Sequence, residues 1–228
     1  MPIPSARLAP LFLATVMVVG EAAAAQSAAP PPPTPQQVTA FFRAVQMDDD
    51  ATVRKMVGSV VNANELNPLG GEPALVLAIR DGARDVVRAL LAHPGTDLER
   101  KAVNGNTALM MAAFKKDEEV ARALVERGAR VDQPGWTALH YAAASGDDAI
   151  ARLLLERGAK VDAPSPRASG AFTPLMMAAR EGHLSTARLL LGRGARLGLK
   201  NAEGMDAAAI AARAGHDELA KALGAAAR

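Results

Sequence analysis

The stretch "GWTALHYAAASGDDAIARLLLERGAKVD", residues 135 to 162, decides how the rest of the chain is read, because the chain says it more than once. "GNTALMMAAFKKDEEVARALVERGARVD" precedes it at 105 to 132, and "AFTPLMMAAREGHLSTARLLLGRGARL" follows at 171 to 197. Weaker copies flank these: "GEPALVLAIRDGARDVVRALLAHPGTDLE" at 71 to 99, "GMDAAAIAARAGHDELAKAL" at 204 to 223, and the degenerate "FFRAVQMDDDATVRKMVGSVVNA" at 41 to 63. Self-similarity of this kind marks a stack of small units, each unable to bury its apolar face alone.

One copy predicts its own local structure. Thr107, Thr137 and Thr173 stand ahead of apolar runs, where a side-chain oxygen can accept from the unpaired N–H groups of a helix start. Pro174 then falls at the first helical position, where proline is best tolerated. About two turns later come Gly82, Gly146, Gly182 and Gly215, at a stop-and-reverse position that favours positive φ. A second helix follows, with Val120, Leu124 and Val125, or Ile150, Leu153, Leu154 and Leu155, on one face. Gly128, Gly158 and Gly194 end it, and a short extended stretch leads to the next turn.

On these residues the units resemble ankyrin repeats, whose pattern runs Gly-x-Thr-Pro-Leu-His-x-Ala-Ala, Gly, a Leu-rich helix, then Gly-Ala. The resemblance covers about residues 38 to 226 and implies an all-α solenoid of stacked helix-turn-helix units with projecting hairpin-like fingers. About six units are expected: 38–66 as N-cap, 67–100, 101–132, 133–162, 163–197, and 198–228 as C-cap. The helix-start positions Pro73, Thr107, Thr137, Thr173 and Asp206 are spaced 34, 30, 36 and 33 apart. The finger before Thr137 is therefore trimmed, while the one holding "APSPRASG" (163 to 170) is lengthened. Lys116 departs from the pattern by replacing the inter-helix Gly, which predicts a non-Gly residue in the left-handed region or a remodelled turn.

Composition narrows the function. Half of the 228 residues are apolar but only 3% aromatic, which favours closely packed helices over a β-sandwich. The formal charge is +2 with both signs interleaved, so no basic stripe for nucleic acid is visible. Arg7, the apolar run "LAPLFLATVMVVG" (8 to 20) and the small residues 22 to 25 read as a signal peptide cut after Ala25. Periplasmic or secreted residence is expected, with no membrane span after cleavage, and the Ala/Arg/Gly bias suggests a bacterial periplasm. The Pro-rich segment 26 to 37 reads as a leader barred from helix or sheet. Zero Cys removes disulfides and thiol chemistry.

No catalytic constellation emerges, and neither cofactor nor metal is expected. His140, His183 and His216 occupy different slots of the repeat, and the resemblance implies backbone or Thr partners for them. "DDD" (48 to 50) lacks the alternating ligands of a calcium loop and suits an inter-helix turn. Met110, Met111, Met176 and Met177 could suggest soft-metal binding, although core filling explains them. Metal or small-ligand handling through Met and His remains the alternative reading.

The resemblance implies a monomeric, non-enzymatic module that binds another protein through fingers and first helices; an inhibitor or immunity-type partner of an exported enzyme is a special case. Carried over by position, the candidate contacts are Asn106, Trp136, Phe172 and Met205 at the fingers, and Phe114, Lys115, Arg180 and Glu181 at the first-helix ends. Trp136, Phe172 and Met205 are expected to form an exposed apolar row, unless the trimmed finger folds Trp136 back onto its neighbour.

Overall fold

Each threonine start sets a helix in motion, and twelve helices in six antiparallel pairs follow along the described chain. The computed structural model describes residues 32 to 226; the expected signal peptide, its cut site and most of the leader lie outside them. The pairs are α1 (Pro35–Gln46) with α2 (Asp50–Met56), α3 (Ala74–Asp81) with α4 (Arg84–Ala92), and α5 (Ala108–Lys115) with α6 (Glu118–Glu126). They continue with α7 (Ala138–Ser145) and α8 (Asp148–Glu156), α9 (Pro174–Glu181) and α10 (Leu184–Gly192), then α11 (Ala207–Arg213) and α12 (Asp217–Ala226). The fold is an all-α solenoid of stacked helix pairs.

Helix starts differ in how they are capped. Thr107 and Thr173 accept from the backbone N–H groups of Met110 and Met176, as expected of N-caps. The Thr137 hydroxyl departs from that pattern and bonds the His140 ring instead, because an imidazole nitrogen in the same turn accepts more strongly than a methionine sulfur. A further departure lies in the leader, which turns helical at its last three residues. Pro35 occupies the first helical position, Thr34 accepts from Gln37 N–H at 3.2 Å, and the Gln37 side chain accepts from Thr34 N–H at 2.8 Å. Proline at that position lacks only an N–H that no helix would have paired, so a Pro-rich segment can begin a helix.

Stacking is tightest in the layer of first helices, where α1, α3, α5, α7, α9 and α11 each pack on the next. The alanine pairs Ala112–Ala113, Ala142–Ala143 and Ala178–Ala179 are fully buried there, and their small side chains permit the close approach. Leu77, Leu109, Leu139 and Leu175 fill the space between layers, against Leu90, Leu124, Leu154 and Leu190 of the second helices. This core runs continuously through the stack, so each pair is stabilised by its neighbours rather than by its own length.

The fingers are narrow hairpins, and one repeated backbone bond closes them. Asn67 N–H donates to Glu72 O, Ala102 to Asn106, Ser165 to Phe172 and Asn201 to Met205, at 2.7 to 2.9 Å. In the trimmed finger the Gln133 side-chain amide reaches Trp136 O at 3.3 Å in place of the missing backbone donor. The lengthened finger carries a 3-10 turn at Arg167–Ser169 and is pinned by buried Ser165, whose hydroxyl accepts from Phe172 N–H at 2.9 Å.

Candidate functional site

Two clusters emerge where the sequence suggested one exposed row. In the lengthened finger Phe172 turns inward and is only 8% exposed, with its ring beneath Gly170, where a Cβ would come within 2.4 Å of it. The expected solvent-facing row is thus broken at its centre: the Ser165 clamp draws both ends of the inserted loop together and rolls the ring underneath. Arg180 lies over that ring at 5.6 Å and pairs with Glu181, so both candidate charges here are engaged within the chain. Met205 is half-buried against the core.

The second cluster is aromatic and spans units three and four. Trp136 is half-buried, edge-on to His140 at 5.2 Å between ring centres and tilted against Tyr141 at 6.2 Å. Folding of the trimmed finger thus partly covers it. Tyr141 donates its hydroxyl to Asn106 Oδ1 at 2.7 Å, and burial pushes the phenol pKa up, so the ring stays neutral and oriented. Phe114 stands edge-on to Tyr141 at 6.3 Å and is 57% exposed. Lys115 follows it, also exposed. Of the sequence candidates, the structure joins Asn106, Phe114 and Trp136 around Tyr141, with exposed Lys115 next to Phe114 in the chain, and separately joins Phe172, Arg180 and Glu181.

All four histidines have structural duties. His140 is fully buried: its Nε2–H donates to Phe172 O at 2.9 Å, and its Nδ1 accepts from Thr137 N–H and the Thr137 hydroxyl at 3.2 and 2.9 Å. Burial lowers its pKa to about 4, which keeps the ring neutral, and the tautomer is fixed by its partners, since the Phe172 carbonyl can only accept and the Thr137 N–H can only donate. His183 Nε2 bonds Ala144 O at 3.0 Å and His216 Nε2 bonds Arg180 O at 3.1 Å, each crossing to the preceding unit. His93 accepts locally from Gly95 N–H. The four candidate methionines are all buried, and Met110 and Met176 accept from Thr107 and Thr173 N–H through sulfur, in the slot of His140. In "DDD", Asp48 accepts from Val86 N–H, Asp49 caps α2 and Asp50 pairs with Arg54. Among the described residues no group of three or more His, Asp or Glu could hold a metal ion.

Sequence reasoning missed three exposed side chains: Met47, Leu69 and Val103, at 75%, 95% and 82% exposure. Leu69 and Val103 sit at adjoining finger tips, where Val103 N–H donates to Gly71 O at 3.1 Å. An apolar residue beside Gly-Gly or Asn-Gly, as in "PLGG" and "AVNG", has no core to enter, and that signal was available. Leu69 and Met47 also border an open groove of about 1400 Å³ along α1, with Val38, Phe42 and Leu66 in its wall.

A family model described as ankyrin repeats (3 copies) matches residues 41–134, 95–165 and 165–227. The chain belongs to the ankyrin-repeat family. It is 33% identical over 86 residues to a Treponema pallidum (strain Nichols) protein named for its ankyrin repeats, a match spanning 38% of this chain and 28% of that relative. No helix among the described residues is long and apolar enough to cross a membrane. Family and geometry together describe a stack of ankyrin-repeat helix pairs with projecting fingers.

Proposed function

We propose that the chain is a scaffold that binds a protein partner outside the cytoplasm, in a bacterial periplasm or after secretion, through the first-helix and finger face of units three and four. One observation carries the reading: Phe114 is held in the open on Tyr141, in a chain with only seven aromatic residues in all (five Phe, one Trp, one Tyr). Large aromatics that stay exposed and pre-positioned are the usual anchors of protein interfaces. The apolar run at residues 8 to 20 and the small residues before Gln26 support export.

A photo-crosslinking residue in place of Phe114, set against one at exposed Arg152 on α8, tests the face in the full chain. Periplasmic extract or secreted protein should yield a discrete protein adduct at 114, identified by mass spectrometry, that is missing at 152; equal adducts from both positions would disprove the face. Fusion of residues 1–37 to a reporter active only after export tests the compartment.

A further inference from the structure

The end of α5 differs from the corresponding ends of its neighbours in charge. Arg80 of α3 is paired with Asp81 and Glu72, Arg180 of α9 with Glu181, and Arg213 of α11 with Glu203, while α7 ends in uncharged Ala144 and Ser145. Lys115 and Lys116 form no ion pair among the described residues. Nearby acids are already engaged: Asp117 and Glu119 with Arg84, Glu118 with Arg122. Two uncompensated cations therefore adjoin Phe114, among the described residues the one aromatic side chain in the set of large apolar residues left exposed.

Backbone geometry adds an independent sign that this edge has been kept for a purpose. Lys116 is held at φ 59°, ψ 32°, in the left-handed region, where the neighbouring units place Gly82, Gly146 and Gly182. A glycine would adopt that conformation without steric cost, so a charged side chain is carried here against a backbone penalty. Its aromatic neighbour is fixed as well: Phe114 rests on Tyr141, and Tyr141 is tied to Asn106. A partner that covered this edge would immobilise little that is not already ordered.

Resting on the protein-binding reading and naming its partner's chemistry, we infer that the Phe114–Lys115–Lys116 edge docks an acidic segment of a protein, with carboxylates on the two ammonium groups and an adjacent apolar side chain on the Phe114 and Tyr141 rings. Unpaired like charges in a row of first-helix ends whose other cations, Arg80, Arg180 and Arg213, are paired select for the opposite charge, and the aromatic platform supplies the desolvated contact.

A random-peptide phage library panned on the full chain tests this. The expected result is enrichment of peptides in which Asp or Glu adjoins Leu, Phe or a similar residue. Synthetic copies should bind about tenfold or more weakly to Phe114→Ala and to Lys115→Glu/Lys116→Glu, and should weaken as ionic strength rises. Asn and Gln in place of the peptide's acids should cost as much. Lys116→Gly guards against a folding artefact, because it removes the charge while relaxing the turn: it should keep or raise the unfolding midpoint and still lose affinity. Enriched peptides without acids, or acidic ones indifferent to both variants, would overturn the acidic docking edge while leaving a binding scaffold in place. No enrichment at all would also overturn it, and the crosslinking comparison at 114 and 152 would then decide the broader reading by itself.

Discussion

Units four to six are joined by three imidazoles, His140 to the Phe172 carbonyl, His183 to Ala144 and His216 to Arg180, while units one to three use none between repeats. The first half reaches across with carboxylates and amides: Asp48 to Val86 N–H, Asn64 to Asp97 N–H and the Gly95 carbonyl, and Glu99 to Arg130 N–H. At one recurring slot, just after the inter-helix turn, the exchange is direct. Asp117 and Asp147 stand there in units three and four and cap their own helices through Val120 and Ile150 N–H. His183 and His216 stand there in units five and six, and His183 gives up the side-chain cap for a bond to the neighbouring unit. The same position can serve its own helix or the repeat before it, and the choice dictates what lies opposite. Under a histidine the preceding turn must be glycine, since a Cβ at Gly146 would lie 2.5 Å from the His183 ring and at Gly182 2.6 Å from the His216 ring. Under an aspartate it need not be, and there the chain carries Lys116.

Acid should separate the halves most. His140 titrates near 4 when folded and near 6.5 when unfolded, so the unfolded chain takes up the extra proton between those values. Its contribution is complete above pH 6.5 and disappears as pH falls toward 4, a loss of up to about 3 kcal/mol. Amide exchange compared at pH 7 and pH 5 should lose more protection across α7 to α9 than across α3 to α5. His140→Met, which installs the residue that α5 and α9 already use in this slot, should flatten the pH dependence; an equal acid response in that variant would rule out His140 as its source.

Glycine replacement comes next in size. Gly82→Ala meets nothing within 4 Å and should cost only the left-handed backbone penalty, about 1 kcal/mol. Gly146→Ala bears the same penalty and must also push the His183 ring off the Ala144 carbonyl, for about 2 to 3 kcal/mol together. Pairing Gly146→Ala with His183→Asp should recover about 1 kcal/mol of that through non-additivity, as urea unfolding would show. Identical costs at 82 and 146 would remove the histidine from the explanation.

The repeat frame was legible because it is written in periodic, local chemistry: Thr caps, buried Ala pairs and turn glycines each recur at fixed offsets, and Lys116 declared itself by breaking the series. The surface was legible only in part. Phe172 occupies an exposed slot by register, yet Ser165, seven residues earlier, folds the inserted loop over it, and no periodic signal encodes such a clamp. Trp136 was ambiguous for a related reason, since Gln133 closes the trimmed finger with a side chain in place of backbone. Pro35 misled through composition: four prolines in a row just upstream describe a spacer, whereas Thr34, Pro35 and Gln37 taken by position describe a helix start.

Loss of a local cap should be smaller. Asp147→Ala removes the acceptor for Ile150 N–H at 2.9 Å and should lower stability by about 1 kcal/mol. Asp48→Ala should cost a similar amount, although its effect falls on α4 of the next unit, where Ala83 offers no side-chain cap of its own. Exchange rates in α4 report this directly: faster exchange at Val86 with α2 unchanged is the expected pattern, and the reverse would place the role of Asp48 within its own unit.

The smallest effect is the most informative about why the halves differ. Lys116→Gly relieves a left-handed residue of about 1 kcal/mol of strain, but it also loosens the unfolded chain, so the net gain should be several tenths of a kcal/mol. Following it with Asp147→His would build the His-over-Gly junction of units five and six at the boundary of units three and four. The new ring has an acceptor available only if it can reach the α5 carbonyl equivalent to Ala144, that of Phe114, and Gly at 116 supplies the space it needs. The pair should then be more stable than the sum of its parts, while Asp147→His over Lys116 should be distinctly worse. If Asp147→His is tolerated equally over Lys and Gly, ring clearance does not govern the junction, and the residue at 116 is set by what the surface binds and not by what the neighbouring repeat allows.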